Sequence, residues 1–191
     1  MVALDLPVPR RGLDTLRRGL RAVRNKMGWD RRNWLRIKQI ESFEAELAKR
    51  GPDETVFEVS PGWNRYWRDR CAPNYHFANF PEFDIAREAT NEQFDIVIAD
   101  QVLEHVLDPV QAARNIRAML KPGGTAMIAT PFLFRVHARP HDYYRWTEPG
   151  LRQLLLNAGF SDDAIESHSW GNKACVRAHV GSDVKDFGFG R

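Results

Sequence analysis

Phe94-Asp95-Ile96-Val97-Ile98-Ala99-Asp100-Gln101-Val102-Leu103-Glu104-His105-Val106 decides the fold of this chain, together with Leu120-Lys121-Pro122-Gly123-Gly124 and the apolar run from Thr125 to Thr130. The run around Ile96 to Ala99 is short, apolar and rich in β-branched residues, as in a strand buried on both faces of a parallel sheet. Asp108-Pro109 then opens a helix, because proline at a first helical position removes an N–H that has no partner there. Val110, Ala113, Ile116, Ala118 and Leu120 supply its buried face. After the Lys-Pro-Gly-Gly turn, Thr125 to Thr130 reads as a second buried strand. Strand, helix and strand in this order form one right-handed βαβ unit. Ligands of open α/β sheets sit outside the carboxyl ends of the strands, so Asp100, Gln101, Glu104 and His105 are expected to touch a small molecule.

Upstream, Val56 to Ser60 reads as the first strand and Pro61-Gly62 turns the chain into a helix ending near Arg70. Tyr75 to Phe80 reads as a second strand. Only residues 81 to 93 separate it from Phe94, too few for a full helix and another strand, so this segment is expected to be trimmed to a loop. Downstream, Thr147 suits an N-cap, Gly159 suits the helix's C-terminal turn, and residues 163 to 168 and 173 to 180 read as a closing antiparallel hairpin turned by Gly171-Asn172. The N-terminal part reads as helix from Gly12 to about Arg50, interrupted near Gly28. Its second half, carrying Ile37, Ile40, Phe43 and Leu47, is expected to pack on the sheet. The fold class is therefore α/β, a Rossmann-like, mostly parallel sheet. The expected division is a basic helical extension over 1–50 and an α/β domain over 51–191.

The formal charge of +3 over 191 residues conceals an asymmetry: Met1 to Lys38 hold eleven Lys or Arg against three Asp, so the rest of the chain is net acidic. Cys71 and Cys175 stand far apart with no CxxC and no zinc spacing, which favours reduced thiols over a disulfide framework. No apolar run approaches the ~18 residues a membrane span needs, and no apolar segment follows Arg10-Arg11 as a secretory signal would require. A cytoplasmic location is expected.

FDIVIADQVLEHVLDP and RAMLKPGGTAMIATP resemble the post-cofactor half of class I S-adenosylmethionine (SAM)-dependent methyltransferases, a likeness running from about Thr55 to about Phe160. PFLFRVHARPHDYYRWTEPGLRQLLLNAGF looks like the continuation in one bacterial branch, the methyltransferase type 11-like group. The resemblance implies that the chain after the first strand passes beneath the methionine moiety of SAM, here at Glu58, Ser60 and Gly62, with Trp63 and Asn64 where the loop is normally open. It implies a ribose or adenine contact after the second strand, at Asn79, Glu82 or Asp84, and contacts beside the methyl group from Asp100 and Gln101.

In ubiquinone-pathway O-methyltransferases and small-RNA 2′-O-methyltransferases, a Glu-x-x-Glu-His motif at this place holds a divalent ion. Here the motif reads Gln101-x-x-Glu104-His105, and a neutral amide in place of a carboxylate weakens a magnesium site, so no metal is expected. Glu104 and His105 are instead expected to anchor the loop and face substrate. The loop after the last strand offers His137 and His141 as proton acceptors, with Asp142 orienting His141. Arg135, Tyr143, Tyr144 and Arg145 are expected to line the acceptor pocket. The leading expectation is methyl transfer from SAM to oxygen or nitrogen of a small acceptor, such as a sugar or natural-product intermediate. The alternatives are a methyltransferase fold that has lost catalysis and serves as a scaffold, and an RNA methyltransferase using the basic N-terminal helix; that helix equally suits an anionic membrane surface or a partner protein, including homo-oligomer contacts.

Overall fold

The computed structural model describes residues 34–61, 66–71, 73–134, 136–137 and 140–171. The basic first helix, the loop residues Gly62, Trp63 and Asn64, the loop residues Arg135 and Arg139, and the second arm of the expected hairpin lie outside the described residues. The elements in chain order are α1 (Trp34–Leu47), β1 (Val56–Val59), α2 (Tyr66–Cys71), β2 (Tyr75–Ala78), β3 (Phe94–Asp100), α3 (Pro109–Ala118), β4 (Leu120–Ala129) and α4 (Glu148–Asn157). Their strands make one parallel sheet in the order β2-β1-β3-β4.

Side-chain alternation along β1 and β3 sorts the core into two layers. Phe57, Val59, Val97 and Ala99 point to the side covered by α3 and α4, where they meet Ala112, Ala113, Ile116, Met119 and Leu154. Val56, Ile96 and Ile98 point to the other side and pack with Ile40 and Phe43 of α1 and Trp67 of α2. The same alternation puts Glu58 and Asp100 on the α1 side of the sheet, at its carboxyl edge. The helix that sequence pattern assigns to the extension is thus a wall of the sheet.

Local chemistry fixes the ends of the elements. Asp108 caps α3 by accepting from the Gln111 main-chain N–H at 3.0 Å, with Pro109 in the first turn. Thr147 caps α4 through Gly150 N–H at 3.2 Å, and Gly159 leaves it at φ +94°. Between α3 and β4, the Lys-Pro-Gly-Gly turn is absorbed as an irregularity of β4: Phe94 pairs with Leu120, yet Ile96 pairs with Thr125. Gly124 is required there, because a Cβ would stand 3.0 Å from the carbonyl oxygens of Asp95 and Lys121. Residues 79 to 93 hold turns and no helix or strand, as the short spacing requires. The first arm of the expected hairpin is not a strand. Asp162–Ala164 form a 3-10 turn that Arg152 clasps through the Asp162 side chain and carbonyl and the Ile165 carbonyl, which takes the chain away from the sheet.

The amino end of the sheet is tied by Asp95, whose Oδ2 accepts from Thr55 N and Thr55 Oγ1, both at 2.8 Å, and from Lys121 Nζ at 2.7 Å. These donors, the lysine first, hold its pKa near 2, below the usual 3.8. A carboxyl depressed by folding contributes stability that is complete above its unfolded pKa and is lost as pH falls through the folded one. Asp95→Asn is therefore expected to lower stability by about 1–2 kcal/mol at neutral pH, after allowing for solvent screening, and to flatten the loss between about pH 4 and pH 2. Urea unfolding across that range checks both.

Candidate active site

The sheet changes winding direction between β1 and β3, which opens a crevice at their carboxyl ends. Both strands leave it through a non-glycine residue in the left-handed region, Ser60 at φ +48° and Gln101 at φ +61°. Such conformations cost about 1–3 kcal/mol each and concentrate at ligand sites. They are held in place: Ser60 N–H donates to the Ala78 carbonyl at 2.8 Å, Ser60 Oγ accepts from Phe80 N–H at 3.3 Å, and Gln101 N–H donates to the Ala129 carbonyl at 2.9 Å.

On the α1 side of this crevice stand two acidic groups with different partners. Glu58 is buried and accepts the Tyr75 hydroxyl at 2.5 Å; loss of water raises its pKa to about 7. Asp100 accepts Arg36 Nη1 at 2.5 Å and Trp67 Nε1 at 3.1 Å, so α1, α2 and β3 meet on one carboxylate. Asn79 and Glu82 expose their side chains beyond β2. Asp84 is turned onto its own loop, accepting Ala86 N–H at 3.0 Å and lying 3.3 Å from Arg87 Nε.

The other half of the site forms where the turn after β3 meets the loop after β4. Glu104 N-terminal to His105 lies in a 3-10 turn, Leu103–His105. Its carbonyl accepts Tyr143 N–H at 2.7 Å and Tyr144 N–H at 3.3 Å, while His105 Nδ1 is 2.6 Å from the His141 carbonyl oxygen and the Tyr144 hydroxyl donates to the Leu107 carbonyl at 2.9 Å. This zipper buries the Glu104 side chain completely, and neither carboxylate oxygen has a hydrogen-bond partner. Withdrawal from water, opposed by the nearby Arg145 charge, raises its pKa to about 7. Nε2 of His105 lies 3.7 Å and Nε2 of His137 lies 3.9 Å from Glu104 Oε1, with the two rings edge to face at 4.9 Å.

The expected pairing of His141 with Asp142 does not form. Asp142, with its side chain almost fully buried, takes two bonds from Arg145 at 2.5 and 2.7 Å and the His137 main-chain N–H at 2.7 Å, and its Oδ2 is 3.3 Å from His137 Nδ1. The guanidinium three residues away offers a two-pronged fork that a neighbouring imidazole cannot match. Arg145 is likewise committed, donating also to the Phe134 and Tyr144 carbonyls, so it acts as the clamp of the loop rather than as an exposed cation for an acceptor. Tyr144 packs on Trp146 as well as tying the two loops, whereas Tyr143 and His141 stay exposed at the rim with their rings 5.3 Å apart. Phe132, Leu133 and Val136 are exposed nearby. Beside this cluster, a groove of about 1020 Å³ runs along β4 between α1 and α4 and reaches Gln101, Thr130 and Phe132.

Sequence reasoning missed Arg36, Trp67 and Tyr75, the residues that hold Asp100 and Glu58. Their partners are 64, 33 and 17 positions away, and no local pattern announces them. It also did not bring His137 to Glu104.

A sequence profile of the methyltransferase domain family matches residues 31–165. The chain belongs to that family, and with this fold it is a member of the class I SAM-dependent methyltransferase superfamily. Among curated proteins it is similar to a highly reducing polyketide synthase of Preussia isomera, 30% identical over 144 residues covering 61% of this chain and 6% of the synthase. It is also similar to the ubiquinone biosynthesis O-methyltransferase of Parvibaculum lavamentivorans, 42% identical over 45 residues covering 24% of this chain and 18% of that enzyme. The chain thus spans less than a fifth of either relative. Among solved structures it resembles the 1,6-didemethyltoxoflavin-N1-methyltransferase of Burkholderia thailandensis, with 19% identity, a TM-score of 0.47, and coverage of 84% of this chain and 83% of that one. No helix of the described residues is long and apolar enough to cross a membrane.

Proposed function

We propose that the chain transfers the methyl group of SAM to an oxygen or nitrogen of a small acceptor, a sugar or natural-product intermediate being the first class to test. The observation that carries this reading is the buried Glu104 carboxylate with two imidazoles turned toward it, at the carboxyl ends of β3 and β4 beside the crevice of the parallel sheet. A carboxylate withdrawn from water without a hydrogen-bond partner is costly unless it is neutralised or paired, as a bound ligand could do.

The residues present suit the methyl donor. Glu58, Asp100 and Glu104 gather carboxyl oxygens at the carboxyl rim of the sheet, and the bent main chain at Ser60 and Gln101 opens the strand ends to a ligand. SAM supplies an electrophilic methyl carbon, and transfer needs an aligned acceptor and removal of one proton. In this reading Glu104, His105 and His137 align the acceptor's polar atom. His141, exposed on the rim, receives its proton, and Asp142 serves by fixing His137. Tyr143, Phe132 and Leu133 form an apolar wall for the rest of the acceptor. Asn79 and Glu82 remain the side chains open to the ribose, since Asp84 is engaged on its own turn.

The closed Arg36–Asp100 pair favours a second reading, a fold retained as a scaffold with its crevice plugged. Calorimetry with S-adenosylhomocysteine separates the two. Binding at micromolar concentrations is expected, and His141→Asn is expected to leave it unchanged while lowering transfer of labelled methyl groups to an accepted phenol, sugar or amine by about a hundredfold. Absence of nucleoside binding in the full chain would establish the scaffold.

A further inference from the structure

Three electron-pair donors converge at the carboxyl end of β3. Glu104 Oε1 lies 3.7 Å from His105 Nε2 and 3.9 Å from His137 Nε2, and one donor atom from each residue lies within 4.8 Å of the other two. The carboxylate is fully buried, and neither of its oxygens has a hydrogen-bond partner. A buried carboxylate retains its charge at low cost only beside a positive partner.

Each ring is also held from behind. His105 Nδ1 is 2.6 Å from the His141 carbonyl oxygen, which can only accept, so Nδ1 carries the proton and Nε2 presents its lone pair toward Glu104. His137 Nδ1 lies between Asp142 Oδ2 at 3.3 Å and Arg145 Nη2 at 3.4 Å, and Asp142 is locked by Arg145; the tautomer that gives the Nδ1 proton to the carboxylate leaves the Nε2 lone pair toward Glu104. A carbonyl or carboxylate behind one ring nitrogen, with the other nitrogen directed to a shared point, is how proteins orient imidazoles around a metal ion.

We propose that Glu104, His105 and His137 bind one divalent first-row transition ion through a carboxylate oxygen and two Nε2 atoms. Ligands about 2.0–2.1 Å from a common tetrahedral ion are ~3.3 Å apart, so the cluster needs to contract by about half an ångström between Glu104 and each ring, and by at most about 1.5 Å between the two rings. Two nitrogen donors favour zinc or cobalt over magnesium, which prefers oxygen shells. The set also differs from the Glu-x-x-Glu-His pattern. The position of its first carboxylate is Gln101, and the third donor comes instead from an imidazole 32 residues further along. Three protein ligands leave a fourth tetrahedral position open, which would let the ion hold an oxygen or nitrogen of the substrate.

This inference goes beyond the methyl-transfer reading and is measured without SAM. The full chain, stripped with a chelator, is titrated by calorimetry with Zn²⁺ and separately with Mg²⁺. Glu104→Gln, His137→Asn and the exposed-site control His168→Asn are treated alike. His168 lies beside Glu166 at 3.0 Å and serves as a surface His/Glu pair. The expected result is one Zn²⁺ per chain at micromolar or tighter dissociation constant, Mg²⁺ at least about a hundredfold weaker, and losses of about a hundredfold in Glu104→Gln and His137→Asn but not in His168→Asn. Cobalt bound in the same site should give visible absorption that His137→Asn abolishes. Absence of stoichiometric zinc binding overturns the proposal, as does binding that survives His137→Asn in protein of unchanged melting temperature. Should Glu104→Gln fail to fold, His137→Asn decides alone. Nucleoside binding on the same samples reports separately on the methyl-transfer reading.

Discussion

Asp142→Ala is expected to destabilise the protein by about 3 kcal/mol and to lower methyl transfer by at least about a hundredfold. The side chain is 1% exposed and pairs with a guanidinium that also binds two main-chain carbonyls, so removing it takes from the partly buried Arg145 the carboxylate that receives its two-pronged bond. Breaking a buried pair from one side costs about 3–5 kcal/mol, far more than the pair itself contributes relative to apolar packing. His137 meanwhile loses the acceptor for its main-chain N–H and the group facing its ring. The bonds from Arg145, first among the causes, hold the Asp142 pKa near 2, so its contribution is complete above about pH 4 and disappears as pH falls through 2. Urea unfolding with activity measured on the same samples tests both halves. A variant within 1 kcal/mol of the parent would show that the clamp is not what holds the loop.

Glu104→Gln should separate stability from function. The wild-type carboxyl is wholly buried without a hydrogen-bond partner, and burial raises its pKa to about 7. A neutral amide of nearly the same shape carries a smaller desolvation cost, so the metal-free variant is expected to melt at or above the parent's temperature. Methyl transfer is expected to fall by at least about a hundredfold, because under the proposed function the acceptor loses the acidic group against which it aligns. Differential scanning calorimetry and a labelled-methyl assay measure the two effects. A variant that is both less stable and fully active would reverse the assignment, making Glu104 a structural residue.

Much of this fold could be read from short-range chemistry. The β-branched run at Ile96 to Ile98, Pro109 after a capping aspartate, and Thr147 three residues before its bonded N–H each specify an element within a few positions. The trimmed stretch after β2 followed from length alone. The first hairpin arm at 163–168 misled because its pattern competes with Arg152, a helix residue whose bonds to Asp162 and Ile165 appear only once α4 is folded. The site was legible as a set of residue types but not as a set of partners. His141 and Asp142 are adjacent, which suggested a pair. The folded loop instead gives Asp142 to His137 and Arg145, and gives the carbonyl of His141, not its ring, to His105. Arg36 and Trp67 were invisible as site residues because their shared partner, Asp100, lies on a strand far along the chain.

The left-handed turn at Gln101 has an engineering consequence. Glycine would adopt φ +61° with less strain, and a stability-driven redesign would choose it at once. The gain would remove the one side chain that the bend between β3 and the Glu104 turn presents from that position. Thermal hardening of this domain is better directed at the amino end of the sheet, around Thr55 and Lys121, where tighter anchoring leaves the opposite edge untouched.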